Sequence, residues 1–159
     1  MNAARLVARY KANGLKLATA ESCTGGLVAG AVTAIAGSSA IFTHGFVTYA
    51  DEAKTQMLGV KEAMLAAHGA VSPQVARAMA EGARAKAGVD YAVSTTGIAG
   101  PEGGSAEKPV GTVWFGLAGP AGTIAHHRLF HGDRGEIRAQ AVAFALELLE
   151  KAVGDEKNE

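Results

Sequence analysis

The sequence predicts an α/β fold: a mixed, mostly parallel sheet of about five strands, helices on both faces, and an antiparallel last strand. Three observations carry this. Helical and strand-like stretches interleave in the order α-β-α-β-α-α-β-β-β-α, and strands separated by helices pair in parallel. The stretch Val89-Asp-Tyr-Ala-Val-Ser-Thr95 has a continuous apolar centre, as a strand covered on both faces requires. The last two strands are separated only by Gly119-Pro-Ala-Gly122, a connection short enough to force an antiparallel hairpin. At 159 residues one domain is expected, over 1–153, with a polar, disordered tail over 154–159.

Each element has its own signal. Residues 3–12 form a helix with Leu6, Val7 and Tyr10 on one side, stopped by Asn13-Gly14. Leu15 to Ala20 is a short apolar strand. Leu27, Val28, Ala31, Val32 and Ile35 then recur at helical spacing, so a helix should start near Cys23 or Thr24 and end at Gly37. His44 to Tyr49 is rich in aromatic and β-branched residues, which fit a strand. Asp51 and Glu52 mark the acidic first turn of the next helix, and Val60 to Ala67 is another short one. Ser72-Pro73 combines a capping hydroxyl with a proline at the first helical position, so a helix runs to Ala87 with Gly88 as its stop. Val110–Leu117 and Thr123–Phe130 are the hairpin strands. Asp133 and Glu136 make a capping box for a last helix whose apolar face is Ile137, Ala141, Phe144, Leu148 and Leu149.

Composition narrows the function. Fifteen basic and fifteen acidic residues balance, which argues against a nucleic-acid-binding surface. The single cysteine excludes an internal disulfide framework and fits a reducing compartment. No stretch reads as a signal peptide or reaches membrane length, so a cytoplasmic protein with no membrane contact is expected. In open α/β sheets, ligands gather at the carboxyl ends of the strands. Three marked stretches fall there: Glu21-Ser22, Tyr49 through Lys54, and Thr95 through Gly104.

Ser22 lies between a strand and a helix, where unpartnered N–H groups could hold an oxyanion; Ser and Thr at such places also serve as plain caps. A serine needs a base, and none of the five histidines sits at the carboxyl end of a parallel strand. Lysine can substitute if burial keeps it neutral, and Lys54, one turn into its helix, could point back at the sheet edge. Tyr49 could orient it or relay a proton. Cys23 is the rival nucleophile, its thiol placed near a helix start. The loop 96–105 offers glycine-rich backbone for an anion but has neither P-loop nor dinucleotide-fingerprint spacing. Arg134 could pair with a phosphate. His127 and His131, four apart on one strand face, are about 13 Å from each other, too far to share a metal. No metal is expected.

With these residues in view, the chain resembles the C-terminal domain of the CinA family, whose stand-alone members are nicotinamide-nucleotide amidohydrolases. The resemblance rests on Ala20-Glu-Ser-Cys-Thr-Gly-Gly26, Tyr49-Ala-Asp-Glu-Ala-Lys54, Thr96-Gly-Ile-Ala-Gly-Pro101 with Gly103-Gly104, Lys108-Pro-Val-Gly111 and Gly132-Asp-Arg134, in the family's order. It implies a three-layer α/β/α sandwich that converts nicotinamide mononucleotide to nicotinic acid mononucleotide and ammonia without metal or cofactor. It implies Ser22 as nucleophile, Lys54 as base and Tyr49 beside them. Substrate binding would fall to Glu21, Thr24, Gly25, Thr96, Gly97, Gly100, Gly103, Gly104 and Arg134. The partner is then a small pyridine mononucleotide, and the apolar balance with the family points to a homodimer. Asp51 stands where many relatives have Asn, and Ser105 where Thr is common. A nucleotide-binding module without turnover and an amidohydrolase for another small amide stay open beside this reading.

Overall fold

Helix α1 (Ala3–Ala12) leads through Asn13-Gly14 into strand β1 (Leu17–Glu21), and residues 3–154 of the computed structural model are described. The order continues with α2 (Leu27–Thr33), a single 3-10 turn (Ser38–Ala40), β2 (Phe42–Val47), α3 (Asp51–Leu58), α4 (Glu62–His68) and α5 (Pro73–Ala87). It closes with β3 (Tyr91–Gly97), β4 (Thr112–Gly119), β5 (Gly122–Leu129) and α6 (Arg134–Gly154). Gly154, expected in a tail, is the last residue of α6; positions 155–159 of that expected tail lie outside the described residues.

The five strands form one mixed sheet in the order β2-β1-β3-β4-β5. β1 sits between β2 and β3, parallel to both, while β4 runs antiparallel to β3 and to β5. The chain folds helices onto both faces because the inner strands β1 and β3 offer apolar residues on both. Along fully buried β1, Leu17 packs with Leu6, Tyr10, Val28, Val32 and Leu149 under α1, α2 and α6. Its neighbours Ala18 and Ala20 face the other way, onto Leu58, Val60, Val75 and Met79 of the α3–α5 layer. This is the expected three-layer α/β/α sandwich. The Tyr10 hydroxyl ties α1 to α6 by donating to the Leu149 carbonyl at 2.7 Å.

Local punctuation behaves as its chemistry requires. Ser72 Oγ accepts from the Val75 N–H at 3.3 Å and starts α5. Asp133 and Glu136 bond reciprocally, side chain to backbone, at 2.8 and 3.1 Å ahead of α6. One boundary differs. The helix expected from Cys23 or Thr24 to Gly37 is only α2, Leu27–Thr33, and residues 22–26 are bend and turn. Gly25 and Gly26 both take positive φ, 55° and 104°, which a right-handed helix cannot contain. Among the described residues no helix is long and apolar enough to cross a membrane.

Candidate active site

Parallel pairing puts the carboxyl ends of β1, β2 and β3 at one edge, with Glu21 level with Val47 on one side and Thr95 on the other. The pairing continues past the strand: Thr48 N–H donates to Glu21 O at 2.8 Å and Ser22 N–H to Thr95 O at 2.9 Å. Ser22 is thereby held at the sheet edge just as the chain turns away. Helix α3 starts directly after β2, so Lys54, in its first turn, reaches back to the same place.

The Lys54 ammonium is 1% exposed. Its Nζ lies 3.1 Å from Ser22 Oγ, 2.8 Å from the Thr48 carbonyl oxygen and 3.1 Å from that of Tyr49. Burial pushes the Lys54 pKa below the ordinary lysine value, and the Asp51 carboxylate, Oδ1 4.0 Å away, pulls it partly back. A neutral amine has two N–H donors and one lone pair. The two carbonyls can take the donors, leaving the lone pair for the Ser22 hydroxyl. The rival thiol is differently placed: burial pushes Cys23 up to about 11, so at neutral pH it is a protonated, poorly nucleophilic SH.

These groups line a cavity of about 230 Å³. Of the residues expected at the site, Ser22, Tyr49, Lys54, Thr96, Gly97 and Arg134 line it. Thr96 Oγ1 donates to Ala70 O at 2.9 Å and fixes the segment 70–71, which forms another wall. Arg134 spans the mouth, with Nη1 donating to Gly100 O at 2.8 Å and Nη2 to the Tyr49 hydroxyl at 3.2 Å.

Other residues expected to bind substrate lie off this cavity. Glu21 is 1% exposed and does not line the cavity. Its carboxylate accepts from the Val28 and Ala29 N–H groups at 2.8 and 3.1 Å and from Thr24 Oγ1 at 2.6 Å. It caps α2 from within the sheet, so the start of that helix is already occupied by a carboxylate. Thr24 is fully buried, its Oγ1 also 2.7 Å from Thr95 Oγ1, and Gly25 is an exposed turn residue; neither lines the cavity. Gly100, Gly103 and Gly104 do not line it either, because the glycine loop folds on itself. A Cβ at Gly104 would come 2.8 Å from Val110 N, and one at Gly100 would strike the Val110 side chain. Gly100 contributes only its carbonyl, to Arg134.

Two charged groups, one lining the cavity and one outside it, lie beyond the expected site residues. Asp51 lines the cavity as a charged neighbour of Lys54. Arg138 lies behind the turn that follows Ser22, with Nε donating to Cys23 O at 3.1 Å and Nη2 to Thr24 O at 3.3 Å. Its spacing of four from Arg134, one turn along α6, was the available signal.

Residues 2–153 match a sequence model of a family described as the CinA C-terminal domain. The chain is 59% identical over 140 residues to "Nicotinamide-nucleotide amidohydrolase PncC" of Escherichia coli (strain K12), covering 87% of this chain and 85% of the relative. It is 56% identical over 148 residues to "CinA-like protein" of Anaeromyxobacter dehalogenans (strain 2CP-C), covering 93% of this chain but 36% of that protein, so it spans about a third of the longer relative. Among solved structures, the competence/damage inducible protein CihA from Agrobacterium tumefaciens superposes with TM-score 0.91 at 49% identity, over 96% of this chain and 93% of that one. A CinA superfamily protein from Klebsiella pneumoniae gives 0.92 at 40% identity, over 96% of both chains.

Proposed function

The chain belongs to the CinA C-terminal domain family, and from that premise we propose that it is an amidohydrolase converting nicotinamide mononucleotide to nicotinic acid mononucleotide and ammonia through a Ser22–Lys54 pair. The observation that carries the mechanism is the 3.1 Å contact between Lys54 Nζ and Ser22 Oγ in a lined cavity. The name of the E. coli relative supports the substrate.

In the first step neutral Lys54 takes the Ser22 proton as Oγ attacks the carboxamide carbon. The oxyanion goes to backbone N–H groups of the turn after Ser22 rather than to the start of α2, which Glu21 already occupies. Within that turn Cys23 lines the cavity, and the N–H following a nucleophile is a common oxyanion donor. Collapse of the tetrahedral intermediate breaks the C–N bond, and Lys54 returns its proton to the departing ammonia. Water, deprotonated by Lys54, then attacks the Ser22 ester; the acid leaves and Ser22 regains its proton.

The cavity, at about 230 Å³, is below the range of roughly 300–1,000 Å³ that encloses a whole drug-sized ligand. It suits the reacting amide end, with the charged remainder of the nucleotide toward the mouth. Arg134 stands there, and a planar guanidinium suits a phosphate. A cytoplasmic location and a homodimer go with this reading; light scattering in solution checks the second.

The deciding experiment is ammonia release from nicotinamide mononucleotide, with chelator present, by wild type and Ser22→Ala side by side. Wild type should turn over and the variant should not. Saturable nucleotide binding without ammonia would instead make the domain a binding module, and ammonia from another amide alone would change the substrate.

A further inference from the structure

We infer that the Gly97 N–H is an oxyanion donor for this reaction: β3 runs past its last pairing with β1, and the peptide group left bare there faces the cavity beside Ser22. The inference rests on the Ser22 mechanism above but not on the identity of the amide.

The direction of this N–H follows from the ladder. In an antiparallel pair, residues alternate between bonding to the partner strand and turning N–H and C=O the other way. On the β4 side, Ile98 N–H donates to Thr112 O at 2.9 Å. On the β1 side, Tyr91 N–H donates to Lys16 O at 3.2 Å, and Thr95 O accepts from Ser22 N–H at 2.9 Å. Tyr91, Val93, Thr95 and Gly97 therefore turn their peptide groups toward β1, and Gly97 is level with Val113 of β4. Up to Thr95 they meet β1 there, since the last pairing is Thr95 with Glu21. At Gly97 that strand has turned away. Had it continued, Gly97 N–H would donate to the Ser22 carbonyl. That carbonyl accepts from Gly25 N–H at 3.0 Å instead, and no bond from Gly97 N–H to the turn closes the ladder.

Gly97 lines the cavity, and it does so through its backbone. A Cβ there would point elsewhere, coming 2.7 Å from Val113 Cγ2 and 2.8 Å from Thr112 O. Across the gap, Ala18 and Ala20 face the α3–α5 layer, and alternation puts the Ser22 side chain on the same side, where Lys54 Nζ meets its Oγ. A carboxamide in the gap takes the place of the missing strand. Its carbonyl oxygen meets Gly97 N–H near the sheet plane, while Oγ approaches the carbon from one face of that plane. The donor is fixed by the sheet before reaction, and its bond strengthens as charge develops on the oxygen. It adds a donor from β3 to the one supplied by the turn after Ser22.

Two experiments test this. In the first, a fluorophosphonate labels Ser22: the Oγ–phosphorus bond forms, fluoride leaves, Lys54 takes the proton, and a phosphonyl oxygen stands where the oxyanion would. Thr-Gly steps occur only at 24–25 and 96–97, so carbonyl-¹³C threonine with ¹⁵N glycine leaves two signals, told apart by a further step to Gly26 or Ile98. Gly97 N–H should move downfield in the adduct and gain a coupling to phosphorus, and Gly25 N–H should not. The second replaces Gly97 by glycolic acid, which exchanges the N–H for an ester oxygen without adding a Cβ. Losing one oxyanion donor costs about 10²- to 10³-fold in kcat, so ammonia release should fall by that factor with KM within a few-fold. Lactic acid in place of Ala92, a ladder residue at the other end of β3, should leave kcat unchanged. A complete Ser22 adduct with Gly97 N–H unmoved and uncoupled would overturn the inference, as would wild-type kcat in the folded Gly97 ester or an equal loss in the Ala92 ester. If the Gly97 ester does not fold, the adduct spectrum decides. A wild type that labels at Ser22 but releases no ammonia overturns the substrate reading alone. No labelling of wild-type Ser22 overturns both.

Discussion

Replacing Asp51 by Asn should move the acidic limb of the kcat/KM–pH profile to lower pH. The base must be neutral to accept the Ser22 proton, so activity rises as Lys54 loses its own proton. Burial lowers that pKa, and the Asp51 carboxylate raises it by stabilising the ammonium. The pair is 4.0 Å apart. Coulomb's law gives about 4 kcal/mol at that distance for an effective dielectric of ~20 and about 1 kcal/mol in bulk water. Asp51 is 64% exposed, so solvent screening favours the lower figure. About 1 kcal/mol corresponds to ~0.7 of a pH unit. The other charged and titratable groups lining the cavity are Arg134 and Tyr49, unchanged in the variant, and Cys23, whose thiol stays protonated until about 11. Asn keeps the size of the side chain, so the electrostatic change is isolated. The assay is ammonia release at limiting substrate across the acid-to-alkaline range. Asp51→Asn should be the faster enzyme below the limb. A limb that stays in place, or moves to higher pH, would refute Lys54 as the titrating base.

Lys54→Arg should be as inactive as Lys54→Ala, because a guanidinium keeps the charge but does not deprotonate near neutral pH; each should lose several orders of magnitude, as other nucleophile–base pairs do. Cys23→Ala should keep turnover within a few-fold, and alkylation of Cys23 should be far slower in the folded than in the unfolded protein, read by mass spectrometry. Glu21→Gln should destabilise by about 1–3 kcal/mol in urea denaturation, since it replaces a buried acceptor of two helix N–H groups and a hydroxyl with one that has a single acceptor oxygen. An unchanged midpoint would count against its capping role.

Much of the architecture was legible because its causes are local. Alternating helical and strand periods, the Ser72-Pro73 start, the Asp133–Glu136 box and the four-residue hairpin link each act within a few residues of chain. The rule that ligands collect at strand carboxyl ends likewise brings Ser22, Tyr49, Lys54 and Thr96 into one neighbourhood from sequence. The reach of α2 was misjudged because apolar spacing continues through a turn that Gly25 and Gly26 hold outside helical φ.

What the chain's own pattern could not decide is where a polar side chain spends its hydrogen bonds. Glu21 and Ser22 are adjacent, both polar and at the same strand end, yet one caps a helix from inside the sheet and the other faces the cavity. β1 lies between two parallel neighbours, and successive side chains of an extended segment point to opposite sides. Local sequence does not say which side will carry α2 and which the cleft. The same holds for Arg138, whose carbonyl partners are more than a hundred residues away. The amino-acid sequence determined which elements form and which reactive groups reach the sheet edge. Only tertiary packing chose their partners, because hydrogen bonds go to whatever the assembled layers bring within about 3 Å.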